Sequence, residues 1–168
     1  MKHKFITTVL GALQPNLLQS LAQVSREMGA SWETTKVIKL DGQFTAMMRV
    51  MISTEQELIF KQHLAQKFPQ LTFVYAEFEH ENLPLCTEFT LTLDCNDRAG
   101  LTHDINQILS ELEASVEHQE SNRVQVTSIG KTVYSAKLNL RLPENVTQAL
   151  LITQLETIAD NIRIKIED

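Results

Sequence analysis

The hydrophobic residues along this chain alternate between two periods, and the order in which the periods change predicts its elements. Phe89, Leu91, Leu93 and Cys95 recur every second residue with Thr90, Thr92 and Asp94 between them, the pattern of a half-buried strand. Leu101, Ile105, Ile108, Leu109 and Leu112 then follow helical spacing, so one helix face is apolar. After Ala114-Ser115, residues 116–127 and 132–142 read as two strands around Gly130-Lys131, the second turning Ala136, Leu138, Leu140 and Leu142 inward. Pro143-Glu144-Asn145 is expected to open a second helix with Leu151, Leu155, Ile158 and Ala159 on one face, and residues 161–167 alternate as a last strand. The order is β-α-β-β-α-β.

The first half repeats that order. It offers a strand near residues 4–11, a helix on Leu17, Leu21, Val24 and Met28, a hairpin at Asp41-Gly42, a helix on Phe60, Leu64 and Phe68, and a strand over 71–78. Sliding the chain on itself by 84 positions lays the segment from Gly11 to Leu17 on that from Cys95 to Leu101, and Ser31 on Ser115. The shift grows to 90 where Phe44-Thr45-Ala46 meets Tyr134-Ser135-Ala136, and to 91 where Leu64 meets Leu155. The larger step implies about six extra residues between the second and third strands of the second half, which a hairpin connection absorbs at small entropic cost. The fold class predicted is therefore α+β: two ferredoxin-like (βαββαβ) units in tandem, each an antiparallel sheet with helices on one face, at 1–80 and 86–168 with a linker at 81–85.

Composition narrows the function classes. With 43% hydrophobic and 21% charged residues the chain can pack a core throughout. Fifteen Lys and Arg against 21 Asp and Glu give a net charge of -6, and no basic stripe is available to displace counterions from a phosphate backbone, so direct nucleic-acid binding is disfavoured. No apolar run approaches a membrane span, and the apolar stretch after Met1-Lys2-His3-Lys4 is interrupted by Gly11, Gln14, Pro15 and Asn16, so a first strand is expected there rather than a signal peptide. Cys86 and Cys95 are too few for a disulfide framework, which makes the cytoplasm the expected compartment.

Chemistry concentrates in the turn before the first helix of the second half. Asn96-Asp97-Arg98-Ala99-Gly100-Leu101 offers a polar turn, a glycine that lets a ligand approach the backbone, and an apolar anchor; free N–H groups and the positive end of the helix dipole converge there. The same residues also make an ordinary strand-to-helix turn with an Asn or Asp cap. Asp94, Asp97 and Asp104 lie close in sequence but flank a turn and a helical turn, and no CxxC or HxxxH pair is present, so no metal site and no cofactor are expected. No nucleophile with its base and no Walker loop has the local context that catalysis needs. Trp32 is expected in the core, and His63, His80, His103 and His118 at the surface. Met47 and Met51 fall on the strand face opposite Phe44, Ala46 and Met48, which the helices leave uncovered. They are either an interface or two exposed methionines, with Lys137 and Arg141 making a basic face in the second half.

The run from Asn96 to Leu101, followed by a helix and Ala114-Ser115-Val116-Glu117, resembles the ACT-domain motif of Asp-Arg-Pro-Gly, helix and Gly-Asn-Ile-Glu, and the resemblance covers both halves. It implies an amino-acid site at Asn96, Asp97, Arg98, Ala99, Gly100, Leu101 and Ser115, often shared between two such domains. In that site the ligand carboxylate sits on the Gly100 and Leu101 N–H groups and its ammonium near Asp97, while Arg98 either clamps the carboxylate or faces water. The first half departs from the motif, since Leu13-Gln14-Pro15-Asn16 removes both charges. For a tandem chain of this size the resemblance implies a regulator rather than an enzyme: an amino-acid-responsive repressor of glycine cleavage. It would take glycine as candidate ligand, act by contact with a LysR-type transcription activator, and form a homodimer. The other readings are a ligand-independent dimerisation module and a regulatory subunit of a metabolic enzyme.

Overall fold

The computed structural model describes residues 1–12, 14–78, 86–128 and 130–167. The chain divides into two units, Met1–Glu81 and Asn82–Asp168. The linker expected at 81–85 lies outside the described residues, as does His80.

The first unit runs β1 (Lys2–Ala12), α1 (Leu17–Glu27), β2 (Ser31–Leu40), β3 (Gln43–Ser53), α2 (Glu57–Lys67) and β4 (Thr72–Glu77). Its antiparallel sheet has the order β2-β3-β1-β4. Pairing Phe5 with Val50 and Val9 with Ala46 puts alternate apolar residues on one face, because side chains along a strand point to opposite sides. That face is closed by Leu17, Leu21 and Val24 of α1 and by Phe60 and Leu64 of α2, while Trp32 packs against the same core. Asp41 and Gly42 both take positive φ, 45° and 77°, the turn that suits the right-handed twist of a two-residue hairpin.

The second unit repeats the plan with β5 (Cys86–Asn96), α3 (Leu101–Glu111), β6 (Ser115–Val126), β7 (Lys131–Pro143), α4 (Gln148–Glu156) and β8 (Arg163–Glu167), in the sheet order β6-β7-β5-β8. Leu91, Leu93, Leu138 and Leu140 meet Leu101, Ile105, Leu151 and Leu155 in a core of its own. Both units carry a bulge one residue into the edge strand, between Trp32 and Thr34 and between Val116 and His118.

Two details differ from the sequence reading. Pro143 ends β7 rather than opening a helix: the Val146 N–H donates to its carbonyl at 3.0 Å, and α4 begins after Thr147, whose hydroxyl accepts from the Leu150 N–H at 3.2 Å. A hydroxyl cap satisfies an orphan N–H, which proline at the first helical position only avoids. The longer hairpin of the second unit is strand as well as loop. Beyond the matching pairs Lys39↔Phe44 and Arg123↔Tyr134, the first unit has only Leu40↔Gln43, whereas the second continues through Val124↔Val133, Gln125↔Thr132 and Val126↔Lys131.

Candidate functional site

The turn over residues 97–100 is held from both sides. The added length of β7 brings the Thr132 carbonyl to the Asp97 N–H at 2.8 Å, and the buried Leu101 side chain anchors the start of α3. Gly100 caps that helix at φ 79°, and an added Cβ would find Arg98 Nη1 no closer than 3.8 Å, so the requirement for glycine comes from the backbone rather than from space. Gly100 offers no side-chain cap, and the N–H groups of Thr102 and His103 have no partner among the described residues. A helix start with open N–H groups attracts anions.

The charges of the turn already have partners. Arg123 of β6 donates through Nε to both Asp97 oxygens at 3.2 Å and through Nη2 to Thr102 Oγ1 at 3.1 Å, with its guanidinium 5.1 Å from the centre of the buried Tyr134 ring. Arg98 turns away from the helix start. It donates to Asp104 at 2.5 Å, to the Ile158 carbonyl at 3.0 Å and to the Ala99 carbonyl at 3.1 Å, tying α3 to the end of α4. Of the three aspartates considered for a metal, Asp97 and Asp104 are thus each held by an arginine, and no metal-holding cluster of His, Cys, Asp or Glu is found among the described residues. Asn96, Asp97 and Arg98 line an open cleft of about 280 Å³ together with residues 157–161.

Ser115 is not part of this arrangement within one unit. It pairs with Arg141, whereas Asn96 pairs with Val133. Eight residues of β7 separate the two levels, about 26 Å at ~3.3 Å per residue. The Ser115 hydroxyl reaches Glu117 at 3.4 Å.

Arg123 is the site residue that sequence reasoning missed, although a signal for it exists: the 84-residue shift lays Lys39 on Arg123, and each stands opposite an aromatic, Phe44 or Tyr134. In the first unit Asn16 caps α1 at φ 61°, and a cleft of about 480 Å³ is lined by Gln14, Pro15, Asn16, Lys39 and Phe44. It keeps the cation and the aromatic; Leu13, at the position matching Asp97, lies outside the described residues.

Met47 is exposed and Met51 half-buried on the helix-free face of the first sheet. The expected basic face of the second sheet is instead neutralised. Lys137 pairs with Glu167 at 2.6 Å, and Arg141 pairs with Glu88 at 2.7 Å and Glu117 at 3.5 Å, because β5, β6 and β8 place carboxylates beside them. Cys95 is buried, and burial pushes its thiol pKa up. His63, His103 and His118 are exposed.

His3 forms a cluster that the linear sequence conceals. Its Nδ1 lies 2.5 Å from Glu57 and its Nε2 3.2 Å from Glu77, while Lys61 also pairs with Glu57 and stands 4.6 Å from the centre of the Phe5 ring. The hydrogen bond to Glu57 raises the His3 pKa above its ordinary 6.5, and the hydrogen bond from Lys61 lowers that of Glu57 below 4.5. A raised histidine stabilises fully below its unfolded pKa and loses that contribution as pH rises through the folded one; a lowered carboxylate stabilises above its unfolded pKa and loses it as pH falls through the folded one. The first unit should therefore be most stable between about pH 4.5 and 6.5 and lose melting temperature above that window. Melting curves from pH 5 to 8.5 read by Trp32 fluorescence test this, and His3→Gln should flatten the alkaline decline.

Residues 3–73 match the family model of the ACT domain, so the match falls on the unit whose turn has lost its charges. No curated protein matches the chain. Among solved structures, an unknown protein from Galdieria sulphuraria is similar over 99% of this chain and 98% of its own, with 16% identity and a TM-score of 0.84. A protein assigned as a glycine cleavage system transcriptional repressor is similar over 99% and 97%, with 12% identity and a TM-score of 0.77. The chain shares the fold of both structures, two ferredoxin-like units in succession. In sequence, the first unit is similar to the ACT domain over residues 3–73.

Proposed function

We propose that this chain is an amino-acid-responsive regulatory protein, and that it represses glycine cleavage by contact with a LysR-type transcription activator rather than by binding DNA. The observation that carries the sensing half is the Asp97–Arg123 pair beside the open N–H groups of α3. A small amino acid brings both charges that this turn can exchange. Its carboxylate takes Arg123 and the Thr102 and His103 N–H groups, and its ammonium takes Asp97. Opening an ion pair whose arginine is half-exposed costs only about 0–1 kcal/mol, so the exchange is cheap. Glycine is the candidate ligand, on the resemblance and on the assignment of the structural neighbour that shares the whole tandem fold. Ser115 reaches such a ligand only from a second chain, in a homodimer.

Contact with protein rather than DNA is supported by charge. The first unit has eight cationic and eight acidic residues, and the second has seven against thirteen, so neither offers a phosphate backbone a net attraction. The glycine-cleavage reading draws on the assignment of the structural neighbour that shares the whole tandem fold. Action in the cytoplasm, and regulation rather than catalysis, belong to the same reading.

Thermal unfolding in the presence of each amino acid at millimolar concentration tests it, with calorimetry on the wild type and on Asp97→Ala. A ligand at one hundred times its Kd adds about 2.7 kcal/mol to the folded state. The expected result is a rise in Tm with glycine or a close relative that Asp97→Ala abolishes. The internal satisfaction of both arginines favours a second reading, a ligand-independent interaction module, and a flat response to every amino acid would decide for it.

A further inference from the structure

The helix-free face of the first sheet is unlike that of the second. Strand alternation puts Leu10, Ile38, Leu40, Met47 and Val74 on it, toward the end where the β2–β3 hairpin turns, with Met47 52% and Leu40 72% exposed. The corresponding face of the second sheet shows Thr90, Thr92, Asn139 and the paired Lys137 and Arg141. A contiguous apolar surface of this kind marks a contact site on a folded protein, whereas single exposed apolar residues do not.

The opposite end of the same face is cationic. Lys2 and Lys4 alternate onto it from β1, Arg49 from β3, and Lys36 stands beside Met47. Lys4 pairs with Glu33 at 2.9 Å, which is the sole carboxylate of this face among the described strand residues. Among the described residues Lys2 and Lys36 have no carboxylate partner, and Arg49 lies 4.5 Å from the centre of the Phe78 ring with its Nε making no hydrogen bond to them. The face therefore grades from apolar at the hairpin end to positive at the other, and the two meet where Lys36 stands opposite Met47.

We propose that this face docks an acidic amphipathic segment of a partner protein, with apolar side chains on Met47, Ile38 and Leu10 and carboxylates on Lys2, Lys36 and Arg49. Charge decides the occupant. A second copy docked through the same face would set cations against cations or, turned end for end, bury them on an apolar patch, with one carboxylate per chain to offset them, and both arrangements oppose self-docking. A lipid surface favours an apolar patch ringed by cations, whereas here Lys2, Lys4 and Arg49 lie to one side and only Lys36 borders the apolar residues, which gives a bound segment a direction. The proposal deepens the regulator reading and rests on it only for the existence of a protein partner.

The test uses the full chain with its methionine methyl groups labelled with carbon-13. The probe is a synthetic helical peptide of Leu, Ala and Glu, leucines on one face and glutamates toward one end. Saturable shifts of the Met47 and Met51 signals are expected, with the core Met48 signal unchanged. Affinity should fall at least tenfold when the peptide glutamates become glutamines, and likewise in Lys36→Glu and Ile38→Ser, whose exposed positions leave the Met48 signal as a check on folding. Shifts at Met47 and Met51 on concentrating the chain alone would replace the partner with a second copy. Shifts with phosphatidylserine vesicles but not with the peptide would replace it with a lipid surface. Silence toward all three would overturn docking at this face. No amino acid ligand enters the experiment, so failure here and failure of amino-acid sensing are read separately.

Discussion

Phe60→Ala is expected to remove about 3–5 kcal/mol from the first unit, the usual cost of truncating a fully buried phenylalanine. The ring is wholly buried and lies 6.4 Å from that of Phe5, where α2 meets the centre of the sheet. A unit of this size carries roughly 4–12 kcal/mol in total at ~0.05–0.15 kcal/mol per residue, so the loss takes a large share of it. Trp32 is the chain's one tryptophan and packs on this core, so its fluorescence reports on the first unit. In urea the fluorescence midpoint should fall sharply, while far-UV ellipticity keeps a later step from the second unit. An unmoved fluorescence midpoint would show that the core does not depend on this ring.

Leu138→Ala should do the converse. Leu138 is wholly buried, pairs with Leu91 across β5 and β7, and belongs to a core that shares no residue with the first. Its truncation is expected to cost about 2–5 kcal/mol, lowering the ellipticity transition of the second unit and leaving the Trp32 midpoint in place. The candidate turn hangs on β5, α3 and the Thr132 carbonyl, all elements of that unit. Any amino-acid stabilisation should therefore disappear in Leu138→Ala above the temperature at which the second unit melts, and survive in Phe60→Ala. Equal shifts of both signals in either variant would sink the independence of the two cores.

The element order was legible because the hydrophobic period switches between two and 3.6 residues at each boundary, and Leu91, Leu93, Ile105 and Leu109 stand where that switching puts them. Pro143 misled because its fixed φ suits the end of a strand as well as the start of a helix, and only the Thr147 cap separates the cases. The turn from Asn96 to Leu101 could be found by composition, but what its arginines do could not. Arg98 spends its donors on Asp104 and on a carbonyl 60 residues away, and Arg123 reaches Asp97 only through the hairpin register. Ser115 looked like a neighbour because the motif names it beside the turn, and strand length carries it to the far end of the sheet. The His3 cluster joins the first strand to residues 54 and 74 positions later, a distance over which no local pattern speaks.

The lengthened hairpin of the second unit also sets a rule for how this fold tolerates change. Two extra rungs were added past the Arg123↔Tyr134 pair, and Tyr134 still faces the core as Phe44 does in the shorter copy. Because neighbouring side chains point to opposite sides, a rung more or less in each strand keeps both faces intact, whereas one residue gained on a single strand has to be absorbed in a bulge, as at Trp32/Thr34 and Val116/His118. A longer arm grafted onto this tip therefore has to be added in matched residues or carry a bulge of its own. Rungs removed as far as Thr132 would take away the carbonyl that grips Asp97, whereas rungs added beyond Lys131 would leave it in place, so the turn sets a minimum length for the arm and no maximum.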